Sequence, residues 1–155
     1  MRWRVPNLVK RLLTQHDLKE IADAIVKAEQ STSGEIRVDV RQRRSRKERS
    51  ANIEELARRE FHHLGMTHTK ERNGVLLFLL LEDRELYILA DESIHKKIEA
   101  RAWQDIADGM ASRFSKREFR EGLIDAVSAV GGILAQHFPR QPGDTNELRN
   151  EVRVR

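Results

Sequence analysis

Four oxygen-bearing residues, Glu35, Asn73, Asp91 and Glu92, are the first candidates for chemistry, because a hard cation such as calcium or magnesium needs carboxylate and amide oxygens that converge. A divalent metal held by them would polarise a phosphoryl oxygen and activate water, which is phosphatase chemistry. Each residue also has a plainer role. Asp91 stands just ahead of a helical pattern and can cap it, Asn73 before Gly74 suits a turn, and Glu35 can pair with Arg37 along one strand face. A second group, Asp144, Asn146 and Glu147, has alternate oxygen spacing but no glycine-centred calcium loop around it, so a turn with a capping Asp is the simpler reading.

His62, His63 and His68 in "HHLGMTH" contain no helix-spaced ligand pair, and histidine at a helix end is favoured by the helix dipole without any metal. Arg41 and Arg43 could hold a phosphoryl anion, but the acids Glu82, Asp83 and Glu85 are placed to neutralise them. The run "RQRRSRKER" offers Arg41, Arg43, Arg44, Arg46, Lys47 and Arg49 to nucleic acid phosphates. No aromatic is interleaved to stack a base, so a solvated basic loop is the preferred reading. Trp103, Phe114, Phe119 and Phe138 stand at helical core spacings. No Walker loop, nucleophile elbow, HExxH or dinucleotide fingerprint occurs.

Composition narrows the classes further. With no cysteine, thiol catalysis, zinc-thiolate sites and redox switching are excluded, and a reducing cytoplasm is the expected compartment. A net charge of +4, from 29 basic and 25 acidic residues, is too small to imply nucleic acid by itself. At 155 residues the chain is long enough to bury one core. The start "MRWRVPNLVKRLLT" lacks the apolar core and cleavage site of a secretory signal, and Val75 to Leu81 is too short to span a bilayer. Residues 1–13 form an amphipathic segment, with Leu8, Val9, Leu12 and Leu13 after Pro6; packing on its own domain is preferred over peripheral membrane contact.

These side chains need elements to position them. Thr14 and Asp17 have capping-box spacing, and Leu18, Ile21, Ala22 and Ile25 recur on one face, which predicts a helix from Gln15 to Glu29. "GEIRVDVR" alternates, placing Ile36, Val38 and Val40 inward and Glu35, Arg37, Asp39 and Arg41 on a wet face, as in a strand near a sheet edge. Ser50 is expected to cap a helix with Ile53, Leu56, Ala57, Phe61 and Leu64 inward, closed by Gly65. Gly74 to Ala90 reads as a β-hairpin turning at "EDRE", and its lack of clean alternation implies helices over both sheet faces. Ile94, Ile98, Ala102, Ile106 and Met110 make one helical face. Ser115 with Glu118 resembles a capping box ahead of Phe119, Leu123, Val127, Val130 and Leu134. The closing "EVRVR" fits either a small edge strand or a loose tail.

The fold class is therefore α/β, a three-layer α/β/α sandwich with a small mixed sheet: a parallel crossover pair plus an antiparallel hairpin. This arrangement makes two rims. One gathers Arg41 and Arg43 with Glu82, Asp83 and Glu85; the other gathers Ser33, Gly34 and Glu35 with Asn73, Asp91 and Glu92.

Several stretches in order, "TSGEIRV" (Thr32–Val38), "RNGVLL" (Arg72–Leu77), Trp103, Phe114 with "FREGL" (Phe119–Leu123), "HFP" (His137–Pro139) and "DTNEL" (Asp144–Leu148), resemble the TPM-domain family, especially its short soluble bacterial branch. The resemblance covers about Thr14 to Leu148 and divides the chain into residues 1–13, a TPM-like domain at 14–139 and a tail at 140–155. It implies a helix-sheet-helix sandwich. It also implies calcium binding in some members, acid phosphatase activity in a plant relative, and protein repair or partner binding in others. Arg72 stands where many members carry Asp before Asn-Gly, and Ala90-Asp91-Glu92-Ser93 where they have a glycine-rich turn. Arg149 stands where they have Pro. The resulting expectation is a non-catalytic module that binds a protein partner, in preference to nucleic acid, or serves protein maintenance. The alternative is a divalent-metal-dependent acid phosphatase acting on phosphate monoesters.

Overall fold

The computed structural model describes residues 8–143, 148 and 150–155. A four-stranded sheet is built from β1 (Glu35–Arg41), β2 (Gly74–Leu80), β3 (Glu85–Ala90) and β4 (Arg153–Val154), in the order β3-β2-β1-β4. β1 pairs in parallel with both β2 and β4, and β2 pairs antiparallel with β3, so the mixed sheet has the expected crossover pair and hairpin. Helices cover both faces. On one face α1 (Leu8–Leu12), α2 (Gln15–Glu29), α4 (Glu92–His95), α5 (Ala100–Ser115) and α6 (Phe119–His137) enclose Ile36, Val38, Val40, Val75, Leu77 and Leu79. On the other, α3 (Ile53–His63) covers Leu76, Phe78, Leu80 and Leu89. β2 is buried at every position because its alternate side chains enter these two cores.

Local chemistry sets the boundaries. The Thr14 hydroxyl accepts from the Asp17 amide at 3.1 Å while the Asp17 carboxylate accepts from the Thr14 amide at 2.9 Å, the reciprocal cap that starts α2. Gly65 adopts φ 74° just beyond α3, a backbone conformation that favours glycine. Val9 and Leu13 are buried in the larger core, so α1 packs on the domain itself. No helix among the described residues is long and apolar enough to cross a membrane.

Four local expectations need correction. β1 is an interior strand, since the closing segment forms β4 beside it, and its charged face is dry: Asp39 is 0% exposed and Glu35 2%. The reason is ionic cover. Arg155 forks onto Asp39 at 2.7 and 3.4 Å and also reaches Glu60 of α3 at 2.8 Å, while Arg153 meets Glu60 at 2.9 Å. Second, α3 is capped by Asn52, whose side-chain oxygen accepts from the Glu55 amide at 2.9 Å, and not by Ser50. Third, the face from Ile94 to Met110 belongs to two helices, because the Asp91 cap starts only the single turn of α4 before the chain restarts at Ala100. Fourth, the Ser115 hydroxyl donates to the Ser112 carbonyl at 2.7 Å. Glu118 precedes α6 without a side-chain cap bond and is held by Arg113 instead.

Candidate functional sites at the two sheet rims

The starts of β1 and β2 and the end of β3 form the first rim. The side chains of Glu35, Asn73, Asp91 and Glu92 fall there into three hydrogen-bonded groups. Asp91 is grasped by Arg72 through two bonds of 2.9 and 3.0 Å and also accepts from the Glu92 amide at 2.7 Å, so it caps α4 and balances a guanidinium together. Glu92 is exposed, 3.9 Å from the same guanidinium. Asn73 donates to the Ser33 hydroxyl at 3.2 Å and to the Glu71 carboxylate at 3.1 Å, and Ser33 donates to Glu71 at 2.8 Å. The Asn73 amide oxygen is buried with no donor. Among the described residues no three His, Cys, Asp or Glu side chains gather in a way that could hold a metal ion. Asp144, Asn146 and Glu147 lie outside the described residues.

Glu35 joins a residue that sequence patterning overlooked. Glu29, at the last turn of α2, is buried and accepts from the Ile36 amide at 2.8 Å. Burial pushes its pKa up to about 8; the neighbouring Glu35 charge and a hydrogen bond with Glu35 push the same way, against the Ile36 amide and the charge of Arg140. At neutral pH the pair therefore shares a proton. Its signal was present: Ile21, Ile25 and Glu29 recur every four residues on the buried face, and an acid at a helix C-terminus opposes the dipole.

The opposite rim, at the ends of β1 and β2, is an open cleft of about 1170 Å³ lined by Arg41, Arg43, Arg44, Arg46, Arg49 and Arg155 together with Glu82 and Asp83. The expected meeting of Arg41 and Arg43 with the turn acids is rearranged by one residue. Arg44 holds Asp83 and Glu85, each at 2.6 Å, Arg43 lies 3.5 Å from Glu82, and Arg41 turns to Glu48 at 2.5 and 3.1 Å. That fork, with the Ser45 amide, draws the Glu48 pKa down to about 2, while the bonds from Glu85 and Asp83 make Arg44 still harder to deprotonate. Arg41 also lies over the Phe78 ring, 6.0 Å from its centre. Among the described residues Arg46, Lys47 and Arg49 are exposed and make no ion pair; Lys47 is not part of the cleft lining.

A second cleft, about 930 Å³, runs along β3 between α3 and α5, with Tyr87 and Ile88 on its floor and Phe61 and Trp103 on its walls. His62 lines it, and among the described residues it belongs to no group of three His, Cys, Asp or Glu side chains that could hold a metal ion.

The arrangement is shared with known folds. The chain is similar to the BA42 protein of the psychrophilic bacterium Bizionia argentinensis, whose NMR structure superposes with a TM-score of 0.84 at 32% identity, covering 98% of this chain and 99% of that one. The N-terminal domain of a P. gingivalis protein (TM-score 0.65, 22% identity, 82% of this chain and 79% of that) shares the fold. So does the N-terminal domain of cg2496 from Corynebacterium glutamicum (TM-score 0.60, 15% identity, 79% and 74%). No curated protein matches. The family model described as the TPM domain matches residues 9–133, from α1 through most of α6, and with that match the chain belongs to the TPM domain family.

Proposed function

We infer that this TPM domain is a non-catalytic partner-binding module that docks an acidic protein segment in the arginine cleft. The observation carrying this reading is the cleft's charge: six arginines against Glu82 and Asp83 in its lining, with Arg46 and Arg49 exposed and free of ion pairs. Guanidinium groups already fixed by neighbours, such as Arg44 on Asp83 and Glu85, lose little freedom when they take up a carboxylate. Among the described residues no aromatic lines the cleft to stack a base, which favours protein carboxylates over nucleic acid. The acids that chemistry would need are already engaged, Asp91 by Arg72, Glu48 by Arg41 and Glu29 by Glu35. Such a module suits protein maintenance, where a partner is held rather than transformed.

The test is an amide-shift titration with an acidic peptide and, separately, single-stranded DNA. Shifts over residues 42–49 with the peptide, abolished by Arg46→Glu with Arg49→Glu, are expected. Tighter binding of DNA, with a steep loss on adding salt, would replace this reading by nucleic-acid binding.

One observation favours the phosphatase alternative: the buried Asn73 amide oxygen that lacks a donor, next to Ser33 and Glu71. Those three residues would supply oxygens to calcium or magnesium, and a bound ion would polarise a phosphoryl oxygen and activate water. Calcium- or magnesium-dependent shifts at Ser33, Gly34 and Asn73, with aryl phosphate turnover lost on Glu71→Gln, would establish it. Silence at that rim disposes of it.

A further inference from the structure

The outer edge of β3 is the one long run of backbone that the sheet leaves open on that side. The Asp91 amide bonds to the Gly74 carbonyl at 2.9 Å, and the antiparallel register pairs Leu89 with Leu76 and Tyr87 with Phe78. Alternation then turns the N–H and C=O groups of residues 85, 87, 89 and 91 toward β2, and those of Leu86, Ile88 and Ala90 outward. None of these three residues has a hydrogen-bond partner for its outward groups. The usual protections of an edge are missing from Leu86 to Ala90: no proline, no lysine and no charged side chain interrupts it.

The geometry points to a second copy of this chain as the occupant, with the two β3 strands joined antiparallel about a two-fold axis through Ile88 to give one continuous eight-stranded sheet. The sequence of the edge is its own complement. In the register that sets Ile88 opposite Ile88 of the second copy, Leu86 falls opposite Ala90, so all three outward-facing residues find hydrogen-bonded partners. Tyr87 meets Leu89 as a closely spaced pair on the α3 face. The same register brings the Arg84 end of each strand against the Glu92 end of the other. Arg84 is exposed and makes no ion pair within the chain, and Glu92 has only the 3.9 Å approach of Arg72. Glu85 falls opposite Asp91, but both are already neutralised, by Arg44 and Arg72. The α5 wall of the cleft sets the small Ala100, Ala107 and Ala111 among Trp103, Gln104 and Asp108, so the neighbouring α5 would meet both small and large side chains. This interface is separate from the arginine cleft and stands or falls without it.

Light scattering and sedimentation of the full chain over a wide concentration range, in low salt, test it, with three variants. Wild type is expected to pass from monomer to dimer with rising concentration. Ile88→Pro removes an outward N–H that β2 does not use, so it is tolerated at an edge and is expected to stay monomeric with an otherwise unchanged amide spectrum. Arg84→Glu is expected to weaken dimerisation about tenfold or more, and Arg84→Glu combined with Glu92→Arg to restore it. A wild type that remains monomeric throughout overturns the proposal. So does a dimer indifferent to the charge reversal, or one not rescued by the double exchange, and these readings hold even if the proline variant fails to fold.

Discussion

Replacing Glu29 by glutamine probes the buried carboxyl pair with little change in shape. The glutamine oxygen keeps the acceptor for the Ile36 amide, and its NH2 group replaces the proton that Glu29 shares with Glu35. The folded pKa of Glu29, about 8, lies above the ordinary 4.5, so between those values the folded chain binds a proton that the unfolded chain has released. Stability from this group is complete below about pH 4.5 and is lost as pH rises to about 8. At roughly 1.4 kcal/mol per pH unit the span sets a ceiling of ~5 kcal/mol. Glutamine does not titrate. Urea unfolding of both proteins, followed by circular dichroism and tryptophan fluorescence from about pH 5 to about pH 9, should give a wild-type stability that slopes downward relative to the variant. The variant should be the more stable by a few kcal/mol at the alkaline end, on the order of that ceiling. Parallel pH profiles, or a glutamine variant that is the weaker at about pH 9, would refute the shared proton. Glu29→Ala separates packing from charge: it too loses the titrating group, and because it strands the Ile36 amide it should lie about 1–3 kcal/mol below the glutamine variant at every pH.

Three further outcomes follow from the contacts. Arg72→Asn releases Asp91 from its guanidinium, and calorimetric titration should show tighter calcium binding than wild type; equal or weaker affinity would mean that Arg72 is not what blocks the rim. Removing residues 150–155 deletes β4 and leaves the fully buried Asp39 without Arg155, for an expected loss of about 3 kcal/mol or more in urea unfolding. Gly131→Ala sets a Cβ 2.7 Å from the Ala28 Cβ, where α6 crosses α2. Overpacking of about 1–3 kcal/mol should outweigh the better helix propensity and lower the thermal midpoint.

What the sequence made legible was whatever rests on local periodicity and capping. The limits of α2 and β1, the hairpin, and the double cover over Val75 to Leu80 follow from Thr14, Asp17 and the run of apolar side chains. Both rims were also legible, because a parallel pair followed by a hairpin fixes which loops share an end of the sheet. Longer-range pairing was not. The charges of β1 read as a wet face because hydration and ionic cover leave the same alternating pattern, and the cover comes from Arg153 and Arg155, over a hundred positions later. Glu29 was hidden for a related reason. A carboxyl on a helix's apolar face is normally assigned to solvent, and only its burial in the folded chain, with Glu35 beside it, shows that it holds a proton.

The chain thus accommodates acids in two physically different ways. Asp39, Asp91 and Glu48 are each forked by one arginine, Arg155, Arg72 and Arg41, whose planar donors match both carboxylate oxygens and whose charge does not titrate near neutrality. Glu29, buried beside Glu35, is made tolerable instead by retaining its proton. In the arginine cleft the Arg41 fork holds the Glu48 pKa down at about 2, far below neutrality, so docking there should respond to salt far more than to pH. The second solution lies where α2 ends and β1 begins, beside the isolated bridge of Thr32 with Pro139 and the hydrogen bond from the Ser33 amide to the Phe138 carbonyl. A rise in pH through about 8 puts the Glu29 charge into that buried junction, so loosening on alkalinisation should begin at the α2–β1 connection while the arginine-forked end of the sheet holds.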